Sequence, residues 1–261
     1  MSESEEKHIL KWGLPLIAIV ITGIAFCPSL INGWTNWDDE VYVLNNENIR
    51  EFSWSQIKYW FTEYHHGNYH PLTMISYMVE YSIAELDPII YHLTNYLLHL
   101  LNTGLVFFFI FKLIARKDVA LITAILFGVH PMHVESVAWI SERKDLLYTA
   151  FYLGSILVYL SYKQSPDWKK YNIILLLFLG SLLSKSAAVV LPVVLLLIDY
   201  FQERKLTKRL LLEKIPLFVL SIVFGILAIK SQNATEAIAS FDTFTTTYSS
   251  ASRKRLTTEK P

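Results

Sequence analysis

WGLPLIAIVITGIAFCPSLI, residues 12–31, is followed within a few residues by Asn36-Trp37-Asp38-Asp39-Glu40. The first stretch is twenty residues without a charge, enough at 1.5 Å per residue to cross the roughly 30 Å hydrocarbon core of a bilayer. The second puts three carboxylates just beyond that span, among Trp34, Trp37 and Tyr42. A cleaved signal peptide begins with basic residues and has a shorter apolar core. This chain begins Met1-Ser-Glu-Ser-Glu-Glu, so the run is expected to be a retained membrane helix.

Working outward, further apolar runs lie near 89–111, 118–139, 146–162, 171–186, 187–201 and 215–231. The chain is 53% hydrophobic, above the roughly 45–50% of soluble domains, and its mean hydropathy is +0.35. The excess sits in those runs. The expected fold is therefore an all-α polytopic membrane protein, a bundle of about seven spans with a large first outer loop, 32–88. Residues 1–232 form this membrane domain, and 233–261, rich in Ser and Thr, read as an unpacked tail. The fifth and sixth runs are short and nearly continuous, which fits two tight helices or a broken pair buried in protein. Zero net charge gives no indication of a nucleic-acid partner, and the scattered glycines form no nucleotide phosphate loop. The single cysteine, Cys27, excludes a disulfide within the chain.

Orientation follows from Lys and Arg. With the N-terminus on the cytoplasmic side, inner segments hold thirteen of these residues and outer segments before the tail hold six. The acidic loop and the stretch His130-Pro131-Met132-His133-Val134-Glu135 then share the outer face. Within 32–88, Phe52 to Phe61 has a helical period and aromatic character suited to the membrane interface, with Ser53 as its cap. Pro71 opens a second surface helix, 71–86. Pro131 should kink or end the third span. On the second span His92, Asn95, His99 and Asn102 fall on one helix face. They serve either helix–helix hydrogen bonding or, at the outer end, a cavity lined by His92 and Asn95.

The candidate chemistry is acid–base work on an anionic substrate. Asp38 and Asp39 are adjacent, and in an extended segment their side chains diverge. One then faces a cavity, where a carboxylate at the edge of low dielectric suits a general base, and the other serves as a hydrogen-bonding partner. Arg143 and Lys144, between Glu142 and Asp145, carry charge fit for a phosphate. Lys185 either snorkels to the interface or faces an anion. His130, His133 and Glu135, with His65, His66 and His70 in reserve, are of the type that holds a divalent metal, at a spacing that matches no zinc pattern. No cofactor is otherwise called for. Asp199, near Arg204 and Lys205, reads as a structural ion pair.

These residues resemble a family. Asn36-Trp37-Asp38-Asp39, Tyr69-His70-Pro71-Leu72-Thr73, Glu80-Tyr81, Tyr91-His92-Leu93-Thr94-Asn95 and Leu98-His99 to Asn102 look like the N-terminal membrane region of the transmembrane-and-TPR O-mannosyltransferases (the TMTC family) and their bacterial relatives. His130-Pro131 through Trp139, Glu142 and Leu146, and Ser184-Lys185 through Asp199-Tyr200, continue the likeness. The resemblance implies a glycosyltransferase of the GT-C class whose first outer loop carries a catalytic acid, here Asp38 or Asp39. It implies a polyprenyl- or dolichyl-phosphate donor, with mannose as the expected sugar. The acceptor would be a Ser or Thr hydroxyl of a translocated protein. His130, His133, Glu135, Glu142, Asp145, His92, Asn95 and Lys185 join Arg143 and Lys144 as expected substrate-binding residues. The expected location is a bacterial inner membrane rather than the endoplasmic reticulum. Family members continue into further spans and TPR repeats, so a truncated, inactive fragment is one alternative. A membrane binding or transport protein using the His/Asn stripe as a solute path is the other.

Overall fold

The computed structural model describes residues 3–205 and 207–234. The tail expected from 233 lies, from 235 on, outside the described residues. Ten α-helices are formed among the described residues, with no strand. They are α1 Glu3–Phe26, α2 Trp54–Thr62, α3 Pro71–Ala84, α4 Pro88–Ile114 and α5 Lys117–Gly128. They continue with α6 His133–Ala138, α7 Arg143–Gln164, α8 Trp168–Ser184, α9 Leu191–Phe201 and α10 Lys208–Asn233. Starts are written in the sequence. Ser53, Asp87, Asp167 and Thr207 accept backbone N–H bonds at the heads of α2, α4, α8 and α10. Prolines occupy the first turns of α3, α4 and α9.

This is an all-α polytopic membrane fold. Gly13–Ile31, Pro88–Ile114 and Leu210–Asn233 are each long and apolar enough to cross a bilayer. The other expected runs fall on α5, α7, α8 and the pair formed by the 3-10 turn Ser186–Val190 with α9. The fifth and sixth runs part at Lys185, between α8 and that 3-10 turn. The third run is corrected: α5 stops at Gly128 instead of continuing to 139. Pro131 has no N–H to extend the ladder, and it disfavours helical backbone in the residue before it. Gly128 seats this end in a notch between α1 and α4. A Cβ there would stand 1.9 Å from the Thr22 Oγ1 and 3.1 Å from the Thr103 Oγ1.

A helix of twelve residues rises only about 18 Å, so the chain turns inside the bundle. Irregular backbone at that depth needs partners within the protein, and the polar stripe on α4 supplies them. Asn95 donates from Nδ2 to the carbonyl of Trp139 (3.2 Å), and Asn102 to that of Leu146 (2.9 Å). His99 Nε2 lies 2.8 Å from the Gly128 carbonyl, and His92 Nε2 lies 3.3 Å from that of Gly33. All four side chains are buried. The stripe is thus a clasp. Of the two roles open to it, these contacts are hydrogen bonding to neighbouring backbone, and His92 and Asn95 are not among the residues that line the cleft beside Lys144 and Lys185.

Loop 32–88 buries Tyr42, Val43, Ile49, Trp60, Met74, Tyr77 and Met78 together with Tyr91 of α4 and Ile140, in a core shared with the bundle. Helix α3 is bound to the bundle through Thr73 Oγ1, which donates to the Ser184 carbonyl (3.1 Å), and Tyr77 Oη, which donates to that of Ile140 (3.0 Å). At the opposite end, Asp199 meets Lys163 and Lys214, each at 3.0 Å, and Arg204 at 3.6 Å. This is the expected structural ion pair, enlarged to three cations.

Candidate active site

The acidic loop and the segment after α6 meet at one end of the bundle. Asp38 and Asp39 lie in a helical turn (Asp39 φ −60°, ψ −34°), not an extended segment. Their side chains still diverge, because successive residues of a helix point about 100° apart. Asp39 is fully buried. Its Oδ2 accepts from the Thr35 amide (3.1 Å) and the Thr35 hydroxyl (2.9 Å), and its Oδ1 from the Ser141 amide (2.9 Å). It pins the two segments together. Asp38 is 47% exposed, with Oδ2 4.0 Å from the Lys144 Nζ. Of the two, Asp38 alone is open to a substrate.

A chain of charges leads from there. Lys144 pairs with Glu142 at 2.8 Å and lies 5.3 Å from the centre of the Tyr42 ring. Lys185, at the end of α8, bonds to Asp145 and stands 3.9 Å from Glu142. Lys144 and Lys185 line a cleft of about 330 Å³ with Tyr69, His70, Ser186 and the C-terminal turns of α10. A lysine ammonium has three donors. One on each is engaged by a carboxylate, which leaves donors for a ligand in the cleft.

His70 is buried in the same wall, and its Nε2 has no partner among the described residues. Burial, aided by Lys144, His65 and Lys185, pushes its pKa down to about 3, so the ring is neutral. In the sequence His70 stands as a reserve metal ligand and within the Tyr69–Thr73 stretch of the resemblance, with no role at a cleft. Its position before Pro71, opening the helix that caps the bundle, was the available signal.

Arg143 is not at the cleft in the manner expected. It is fully buried. Its Nε donates to Asn95 (2.8 Å) and its Nη2 to the Tyr91 carbonyl (2.9 Å). Its Nη1 pairs with Glu80 and donates to Ser76 (3.2 Å), and the guanidinium lies over the Tyr77 ring at 4.7 Å. These bonds leave it an anchor between α3, α4 and α7, with no donor aimed at a phosphate. His130 is exposed and accepts from the Met132 amide (3.2 Å), and Glu135 is exposed. His133 packs on Phe127 (4.4 Å) and His99 (5.4 Å). None of the three lines the cleft. Among the described residues no three His, Cys, Asp or Glu side chains gather to hold a metal ion. Trp37 is 74% exposed beside Asp38 and packs on Trp139 at 5.7 Å.

Comparison with known proteins finds protein O-mannosyl-transferases among the relatives of this chain. The chain is 31% identical to mouse protein O-mannosyl-transferase TMTC3 over 161 residues, 58% of this chain and 17% of that protein. It is 34% identical to fruit-fly protein O-mannosyl-transferase Tmtc1 over 124 residues, 48% of this chain and 14% of that protein. With mouse protein O-mannosyl-transferase TMTC2 it shares 31% identity over 148 residues, 54% of this chain and 18% of that protein. The chain thus spans less than a fifth of the length of these curated relatives. No family model matches it, and no solved structure does.

Proposed function

We propose that this chain carries the donor and base elements of an inverting membrane glycosyltransferase, which moves mannose from a polyprenyl- or dolichyl-phosphate to a Ser or Thr hydroxyl of a translocated protein. The observation that carries this reading is the half-exposed Asp38 facing Lys144 at the rim of a cleft that Lys185 also lines. The relatives' names as protein O-mannosyl-transferases support the reaction class.

The acceptor hydroxyl attacks the anomeric carbon as Asp38 takes its proton. The bond from that carbon to the phosphate oxygen breaks, and the lipid phosphate leaves with the bonding pair. One displacement inverts the sugar. The leaving group is already a stable anion, so no general acid is needed. What helps is positive charge that strengthens its hold as negative charge develops. Lys144 and Lys185 supply it, Glu142 and Asp145 hold the two ammonium groups in place, and Arg143 fixes α7 behind them. His130, His133 and Glu135 then belong to the rim where a protein acceptor approaches.

Residues 1–232 act as the membrane domain, with the N-terminus on the cytoplasmic side by the Lys/Arg bias. Animal relatives lend nothing to a bacterial inner membrane. The location is kept to a membrane that displays a lipid-linked sugar on its non-cytoplasmic face.

The test uses membranes given dolichyl-phosphate mannose and a Ser/Thr acceptor peptide. Lys144→Gln and Lys185→Gln are each expected to raise the donor KM about tenfold, the worth of one charge-assisted contact. Donor-dependent transfer with an unchanged KM in both variants, or no donor-dependent transfer or binding by the chain at all, refutes the reading.

A further inference from the structure

Trp37 and Trp139 have no part in the chemistry so far. Their rings pack at 5.7 Å, and Trp37 keeps 74% of its surface open. It precedes the half-exposed Asp38 in the chain. An indole presented this way is the kind of side chain that dominates binding hot spots.

The charges around the pair are of one sign. Residues 32–49 and 129–142, which carry the two rings, hold six carboxylates and no Lys or Arg. Asp39 is bonded to two amides and the Thr35 hydroxyl, Glu142 pairs with Lys144, and Asp38 faces Lys144. Glu40 and Glu135 are exposed and form no ion pair among the described residues. Each stands about one helical turn from one of the rings. The Glu40 amide donates to the Trp37 carbonyl (3.1 Å), and the Trp139 amide donates to the Glu135 carbonyl (3.2 Å). Residues three or four apart in a helix share a face, so each indole has an unpaired carboxylate beside it.

This combination selects a cation. The negative face of an aromatic ring attracts Lys and Arg, Trp most strongly, and a carboxylate bonds a guanidinium in a two-pronged fork. An anionic lipid surface does not fit, because it repels two unpaired carboxylates. A polypeptide fits on an independent count. The buried Trp139 Nε1–H has no partner among the described residues. A buried donor calls for an acceptor, and a peptide offers a carbonyl at every residue.

We propose that Trp37, Trp139, Glu40 and Glu135 form an acceptor shelf, which prefers polypeptide segments with Arg or Lys two residues from the Ser or Thr presented to Asp38. In an extended chain residues two apart lie on one side, about 6.6 Å from each other. The hydroxyl can then meet Asp38 while the cation lies over the adjacent indole. The proposal rests on the transferase reading above and adds which acceptors it takes.

The full chain in dodecyl maltoside, without donor, is tested for binding of fluorescent Ser/Thr peptides that carry Arg, Gln or Glu at both positions two residues from the hydroxyl. The Arg peptide is expected to bind about tenfold tighter than the Gln peptide, which is about 1.4 kcal/mol, and the Glu peptide weakest. Glu40→Gln and Glu135→Gln should each cut the Arg preference about threefold. Trp37→Leu should abolish it, and Trp37→Phe, which keeps an aromatic face, should retain most of it. Glu63→Gln, at an exposed acid after α2, should leave it intact. Equal binding of the Arg and Gln peptides to the unaltered chain overturns the shelf. So does a preference that survives Trp37→Leu, or one that falls as far in Glu63→Gln as in Glu40→Gln. A preference present in dodecyl maltoside and lost in phosphatidylcholine nanodiscs gives the indoles to the choline headgroup and overturns the peptide assignment. The transferase reading fails separately, when the Arg peptide binds with this preference and no mannose moves to it from dolichyl-phosphate mannose.

Discussion

Replacing Asp38 and Asp39 by asparagine, one at a time, should separate chemistry from architecture. Asp39 accepts three hydrogen bonds, two from Thr35 and one from the buried Ser141 amide, on a side chain with no exposure. Hydrogen bonds to a charged group are worth about 1.5–3 kcal/mol net, and an orphaned buried donor costs about 1–3 kcal/mol. The asparagine amide keeps one acceptor oxygen but turns its NH2 toward the Thr35 N–H or the Ser141 N–H. One charge-assisted bond is lost and one donor faces another, so the expected cost is about 3 kcal/mol. For a domain of this size that lowers the melting temperature by roughly 5–10 °C. Asp38 is half-exposed and makes one 4.0 Å contact with Lys144, so Asp38→Asn should cost less than about 1 kcal/mol. Loss of a general base slows proton transfer about 10²–10⁴-fold. Melting in detergent, donor binding and mannosyl transfer from membranes are measured together. Asp38→Asn should bind donor, melt like the wild type and fail to transfer. Asp39→Asn should melt early. Transfer undiminished in Asp38→Asn, or wild-type melting in Asp39→Asn, refutes this division of roles.

Arg143→Met leaves Glu80 buried without its cation and should destabilise by about 3–5 kcal/mol. Adding Glu80→Gln should restore part of that in a double-mutant cycle, and purely additive losses would contradict the pairing. In the clasp, Asn102→Leu and His99→Leu should each cost about 1 kcal/mol by unfolding in bilayers, since polar contacts within membranes average below that and rarely exceed 2. Loop 32–88 should weaken in acid. Burial is the main cause holding His70 at about 3 and His65 at about 4, against 6.5 in the unfolded chain. The unfolded state therefore takes up protons first, so stability is complete above about pH 6.5 and is lost as pH falls through the window down to those folded values. At pH 5 the buried His70 alone should cost up to roughly 2 kcal/mol, visible as faster hydrogen exchange over residues 65–78. His70→Gln should flatten that dependence, and an unchanged profile would remove His70 as its source.

Much of this protein could be read along the chain. An apolar run of twenty residues has few alternatives to crossing a bilayer, because length and hydropathy are properties of the segment itself. Caps at Ser53, Asp87 and Thr207 and the proline starts of α3 and α4 are equally local. So is the stop near Pro131, although hydropathy alone carried the third span past it. The likeness through Asn36–Asp39 and His130–Asp145 pointed to the end of the molecule where the cleft lies.

What each polar group does there was decided only by packing. Asp38 and Asp39 are chemically identical neighbours, and sequence separation says nothing of which one meets the Ser141 amide more than a hundred residues away. Arg143 and Lys144 look like one basic pair, yet the roughly 100° step between successive residues of a helix sends the guanidinium into the α3–α4 core and the ammonium to the cleft. The α4 stripe was ambiguous for the same reason: whether a buried histidine meets water, substrate or a carbonyl depends on which backbone another segment brings to it. Hydrophobic length is summed along the chain and is legible in it, whereas hydrogen-bond pairing is fixed by three-dimensional approach and becomes known only when distant segments are in contact.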